Sequence, residues 1–133
     1  VVFGQSSDAG DAEAESLSIK FMRGHTTGGS GGSTVTPCRM SQQSAQNASA
    51  TVKANNTTEA ADGSPETVWA DAFNVQAGYV YHPTIHPADR KTAQDSGLFV
   101  IAPNERFVIN LPTAPDDALT MSGSIEFEEV KRL

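Results

Sequence analysis

The stretch Gly24 to Ser33, GHTTGGSGGS, holds five of the chain's eleven glycines and spells G-x-S-x-G around Ser30. In hydrolases that pattern works because a strained strand-to-helix turn lifts the serine hydroxyl above a parallel sheet, where backbone N–H groups stabilise the oxyanion. No helical pattern follows Ser30; the chain continues as Ser33-Thr34-Val35-Thr36-Pro37. A phosphate cradle of the G-x-x-x-x-G-K-[ST] kind needs a lysine to reach the terminal phosphates, and the residue after Gly24 and Gly29 is Ser30. The stretch therefore reads as a pliable hairpin tip after a strand that ends at Met22-Arg23, with His25, Gly28 and Ser30 as candidate contact residues.

The other residues able to do chemistry are scattered. His82 and His86 stand four apart, but Pro83 and Pro87 follow them, and a residue before proline is pushed out of the α region. A helical metal pair is thus excluded, and the histidines read as solvated or interface groups. Asp8, Asp11, Glu13 and Glu15 crowd one loop, and hard oxygen donors at close spacing suit calcium. The run departs from D-x-[DN]-x-[DN]-G, so a solvated acidic turn competes with a calcium site at Asp8, Asp11 and Glu13. Cys38 is the single cysteine; it can form no internal bridge, lacks zinc-site spacing, and reads as a semi-buried structural residue. Trp69, Phe73, Tyr79 and Tyr81 could stack on sugars if exposed, although core packing is the more frequent fate of such rings. No catalytic residue and no cofactor is expected.

The elements that carry these residues show period two. In Leu119 to Phe127, Leu119, Met121, Ile125 and Phe127 face one way and Thr120, Ser122, Ser124 and Glu126 the other, the pattern of a half-buried antiparallel strand. Ser16 to Met22 repeats it through Leu17, Ile19 and Phe21, and Arg106 to Leu111 through Phe107, Ile109 and Leu111. Weaker strands are expected at Val1 to Gln5, Ala50 to Ala54, Glu66 to Phe73, Gln76 to His82 and Gly97 to Ile101. Turn signals separate them, among them Asn55-Asn56, Asp62-Gly63-Ser64-Pro65 and Pro112 to Asp117. About eight short strands with polar connections predict a single all-β domain over residues 1–133. The expected architecture is an antiparallel β-sandwich, with the jelly roll as one form of it. The first strand is expected to be incomplete, because the chain starts at Val1 and not at Met. Two long loops, Ser41 to Ser49 and His82 to Ser96, are where partners would be met, and Gln43, Asn47, His82, His86 and Arg90 are their candidate contacts.

A net charge of −7, with acids in both halves, argues against a nucleic-acid grip, which needs a Lys/Arg stripe. No apolar run approaches the roughly 18 residues of a membrane-spanning helix, and no charged segment precedes an apolar one as in a signal peptide. Neither nucleic acid nor membrane is an expected partner.

The segments Phe3 to Pro37, Asn55 to Ala60 (NNTTEA), Asp71 to Thr84 and Pro112 to Glu129 (PTAPDDALTMSGSIEFEE) resemble small structural proteins of tailed bacteriophages and prophages. The likeness covers most of the chain and rests on loops and strand patterns, so it brings no catalytic residues with it. It implies a non-enzymatic virion component that decorates a capsid. Its partners would be the major capsid or other virion proteins and further copies of itself, with a trimer among the arrangements. A tail or fibre component and a carbohydrate-binding, adhesin-like sandwich are the competing expectations; an enzyme would need His25, His82 or His86 beside a carboxylate in a pocket.

Overall fold

The computed structural model describes residues 2–5, 14–39, 48–81, 100–117 and 119–129. Among them all regular structure is β-strand: β1 (Val2–Gln5), β2 (Ser16–Thr27), β3 (Ser33–Val35), β4 (Val52–Ala54), β5 (Ala61–Asn74), β6 (Val80–Tyr81), β7 (Arg106–Asn110) and β8 (Met121–Ser124). They form three antiparallel sheets, ordered β5-β2-β7, β6-β1-β8 and β3-β4. The result is the expected sandwich-like, all-β fold.

Strand β2 sits at the centre because its alternation is the strongest in the chain. Leu17, Ile19 and Phe21 are buried, while Ser16 and Ser18 on the opposite face are exposed. Leu17 pairs with Phe73 on β5, and Phe21 pairs with Trp69 on β5 and Ile109 on β7. Leu17, Ile19, Phe21, Phe73 and Val75 make the buried core, half-buried Trp69 and Ile109 pack against it, and half-buried Phe3, Tyr81, Leu119 and Met121 do so from the other sheet and its flank. Phe21 joins the layers. Its ring centroid lies 4.6 Å from Trp69, 5.8 Å from Phe107 and 5.0 Å from Tyr81, the last edge-on at 88°. Phe73 and Tyr79 stack at 4.6 Å. Large rings carry most of the apolar burial in so small a core.

Strand β2 is also longer than its alternation announces. It continues through the expected hairpin tip to Thr27, with register shifts between Phe21 and Met22 and between Arg23 and His25. The tetrapeptide Asp62 to Pro65 is likewise not a turn between strands: it lies within β5, with Asp62 at φ 57° and Gly63 at φ 81°. Local Gly and Pro punctuation is overridden there by pairing to β2, which places Gly63 opposite His25. The β8 pattern, in contrast, outruns its strand. Pairing with β1 ends at Val2 and Ser124, so Ile125 and Phe127 lie beyond the sheet and about half exposed. The strand expected at Gln76 to His82 contracts to Val80–Tyr81, and Val100 and Ile101 are not in a strand.

Strand β5 forms one margin of its sheet, and that margin is guarded. Pro65 has no N–H to offer, and the Ala72 N–H donates to Asp71 Oδ1 at 2.8 Å instead of facing outward unpaired.

Candidate functional site

The glycine stretch is anchored, which corrects the expectation of a pliable tip. Ser30 forms an antiparallel bridge with Thr58: its N–H donates to Thr58 O at 3.1 Å, and its carbonyl accepts from the N–H groups of Thr57 and Thr58, both at 3.0 Å. Gly29 is buried against Asn56 and Thr58, while Gly28 lies exposed beside the Arg106 side chain. Ser30 is exposed but is fixed by its backbone, with no helix behind it.

His25 is also not the solvated or interface group the sequence implied. It is 8% exposed, in β2 between Gly63 on β5 and Arg106 on β7, and its buried Nδ1 has no hydrogen-bond partner. Around it, Arg23 donates from Nε and Nη2 to Glu66 Oε2 at 3.2 and 2.9 Å, and from Nη1 to Val100 O at 3.4 Å. Arg106 Nη1 donates to Asn104 O at 2.9 Å. Both cations are thus engaged.

The other candidates resolve as follows. Cys38 is exposed, not semi-buried. The rings that could have bound sugar are turned to the core: Trp69 and Tyr81 lie 4.5 Å apart against Phe21, and Tyr79 stacks on Phe73 with its hydroxyl donating to Asp71 Oδ2 at 3.3 Å. Burial, reinforced by the Asp71 carboxylate, pushes the Tyr79 hydroxyl up to about 12, and burial raises Tyr81 too. Asp8, Asp11, Glu13, Gln43, Asn47, His82, His86 and Arg90 lie outside the described residues. Glu15 is half-buried and ties two segments together, its carbonyl accepting from Val75 N at 3.0 Å and its carboxylate from Asp116 N at 3.2 Å. Among the described residues no three His, Cys, Asp or Glu side chains gather as metal ligands.

What the structure does bring together is apolar surface. Six large apolar side chains are conspicuously exposed among the described residues, and five of them, Val35, Val100, Ile101, Ile125 and Phe127, line one broad open groove whose walls take in more than half of the described residues. These five are between 41% and 54% exposed. Half-buried Phe107, Ile109, Leu111 and Met121 also line the groove, and its walls mix charges of both signs, Arg39, Lys53 and Arg106 with Glu59, Glu66 and Glu105. An apolar surface rimmed by charge is suited to receive another macromolecule, since water gains nothing by wetting it.

A latch forms among residues that line this groove. Glu129 takes three hydrogen bonds from Ser49 and Ala50: Ser49 N and Ser49 Oγ donate to Oε2, each at 3.0 Å, and Ala50 N donates to Oε1 at 2.7 Å. These donors hold the Glu129 carboxyl below its usual value, the Ser49 N–H foremost. The residues of this surface escape a sequence reading for different reasons. Ile125 and Phe127 are visible as an apolar row, but their exposure depends on where β1 stops pairing. The latch joins residues about eighty apart and has no local signal.

No protein-family model, curated protein or solved structure matches the chain.

Proposed function

We propose that the chain is a non-enzymatic virion structural protein of a tailed bacteriophage, a decoration module that stabilises a capsid through contacts with capsid proteins and with its own copies. The observation that carries this reading is the gathering of five of six exposed large apolar side chains into one groove. An enzyme concentrates its chemistry in a few convergent polar groups, whereas an assembly module spreads weak contacts over area and multiplies them by symmetry. The open apolar groove supports the second arrangement. The all-β, sandwich-like fold is compatible with that role.

The sugar-binding reading loses ground because Trp69, Tyr79 and Tyr81 spend their faces on core rings. The test is cosedimentation of the purified chain with undecorated capsids of the phage that encodes it. Saturable binding at a fixed ratio to the capsid subunit is the expected result. Absence of binding at micromolar concentrations would rule the decoration role out.

A further inference from the structure

We propose that the paired segments running beyond Gly28 to Val35 and back from Val52 to Ala60 form a pivoting arm, which the Glu129 latch holds to the body of the sandwich and which swings outward at Gly28 and Ala60 when the latch is broken. The movement lies within one chain and stands apart from the decoration role. Three observations carry it.

The first is the ladder. Strands β2 and β5 pair from Ser16 and Asn74 to Thr27 and Ala61, and the Ser30–Thr58 bridge follows in the same register. The β3–β4 pairs of Ser33 with Ala54, Thr34 with Lys53 and Val35 with Val52 then carry the same two segments onward. From the bridge to the Ser33–Ala54 pair the Thr58 side is one residue longer, an offset of the bulge kind, and there Gly31 and Asn55 take φ of 82° and 57°. The small β3-β4 sheet is therefore the far end of the β2–β5 ribbon. Strand β7 leaves this ladder at His25 and Arg106, and beyond that point the ribbon has two strands, with β3 exposed along its length. At about 3.3 Å per residue the stretch from His25 to Val35 reaches roughly 30 Å.

The second is a break in the ladder. Gly28 and Gly29 lie outside the strands, opposite Glu59 and Ala60, and Gly28 is exposed. Each side of the break is braced. On the far side Lys53 Nζ donates to Gly29 O at 3.4 Å, and Gly31 and Gly32 lie against Thr57 and Asn56. On the near side Thr27 Oγ1 donates to Asp62 Oδ2 at 2.7 Å. Two braced units joined by a short unpaired stretch move as rigid bodies about it, and a few residues there absorb the change in φ and ψ.

The third is the place of the latch. Ser49 and Ala50 lead into β4 at the far end of the ribbon, whereas Glu129 follows β8 in the body, so the three hydrogen bonds tie one to the other. Val35, Val52 and Lys53 of the ribbon line the same groove as Phe107, Ile109 and Met121 of the body. An isolated two-stranded ribbon is marginally stable in water, and the latch supplies a tie where the third strand has ended.

The test is pulsed electron spin resonance on the full chain with Cys38→Ser and nitroxide labels on Thr34→Cys and Ser122→Cys, both at exposed positions. With Glu129 in place this pair should give one narrow distance distribution. Glu129→Ala should broaden it and shift it to longer distances. A second pair, on Ser18→Cys and Ser122→Cys within the body, should be unmoved by Glu129→Ala. An unchanged Thr34–Ser122 distribution in the Glu129→Ala chain would overturn the arm, and so would a distribution already as broad with Glu129 present. A change of the same size in the Ser18–Ser122 pair would also overturn it, because the whole chain would then have loosened.

Discussion

Gly24 on β2 and Gly63 on β5 are pressed against each other across the strand pair, each with positive φ, at 88° and 81°. A Cβ on Gly24 would run into the Ser64 carbonyl, and one on Gly63 into the carbonyl of Gly24. The backbone itself occupies the space a side chain would need, so the two irregularities hold each other in place. Either glycine changed to alanine should destabilise the fold by about 1–3 kcal/mol, the usual cost of a strained backbone conformation. Urea denaturation followed by tryptophan fluorescence measures this through Trp69; an unchanged midpoint would contradict the close approach.

His25 gives a prediction of the opposite sign. Its Nδ1 is buried without a partner, and a buried polar atom in that condition costs more than an apolar replacement of similar size. His25→Leu should therefore melt at or above the wild-type temperature. A clear fall in melting temperature would mean that the imidazole is bonded in solution.

Tyr79 sets a limit at high pH. Its hydroxyl titrates near 10 in an unfolded chain and near 12 in the fold, where burial and Asp71 oppose the phenolate. A group whose folded value is raised contributes its full stabilisation below the unfolded value and loses it as pH climbs through the folded one. Stability should thus hold up to about pH 10 and decline from there towards 12. Tyr79→Phe should flatten the decline, with Tyr81, also raised by burial, responsible for what is left.

Glu129 behaves in reverse. Its carboxyl is held below its unfolded value of 4.5 by the Ser49 and Ala50 donors, so the latch is intact above that pH and opens as pH falls through the lowered value. Amide resonances of Ser49 and Ala50 should move together in an acid titration, with a midpoint below 4.5. Glu129→Gln should abolish the shared transition; titration of those amides in the variant as in the wild type would show that another acid controls them.

The sheet centred on β2 was legible because Leu17, Ile19 and Phe21 alternate without interruption and their partners Phe73, Trp69 and Ile109 do the same. The continuation of β2 was hidden by Gly24, which looks locally like the start of a loop and is in fact required by a strand crossing whose other half is Gly63. Carried two steps further, the alternation would have put His25 on the buried side. The groove was legible only as ingredients. Val35, Val100 and Phe127 are far apart in the chain, and no local rule tells which apolar residues will share an opening. The Glu129 latch depends wholly on tertiary placement.

The guarded margin at β5 bears on how such molecules can add up. Pro65 and the Asp71 cap make the fourteen-residue strand a poor place for another sheet to join, while apolar surface gathers in the groove lined by β7 and β8. A molecule with one blunt flank and one adhesive flank gains neighbours through its groove and not by extension of the β5 sheet.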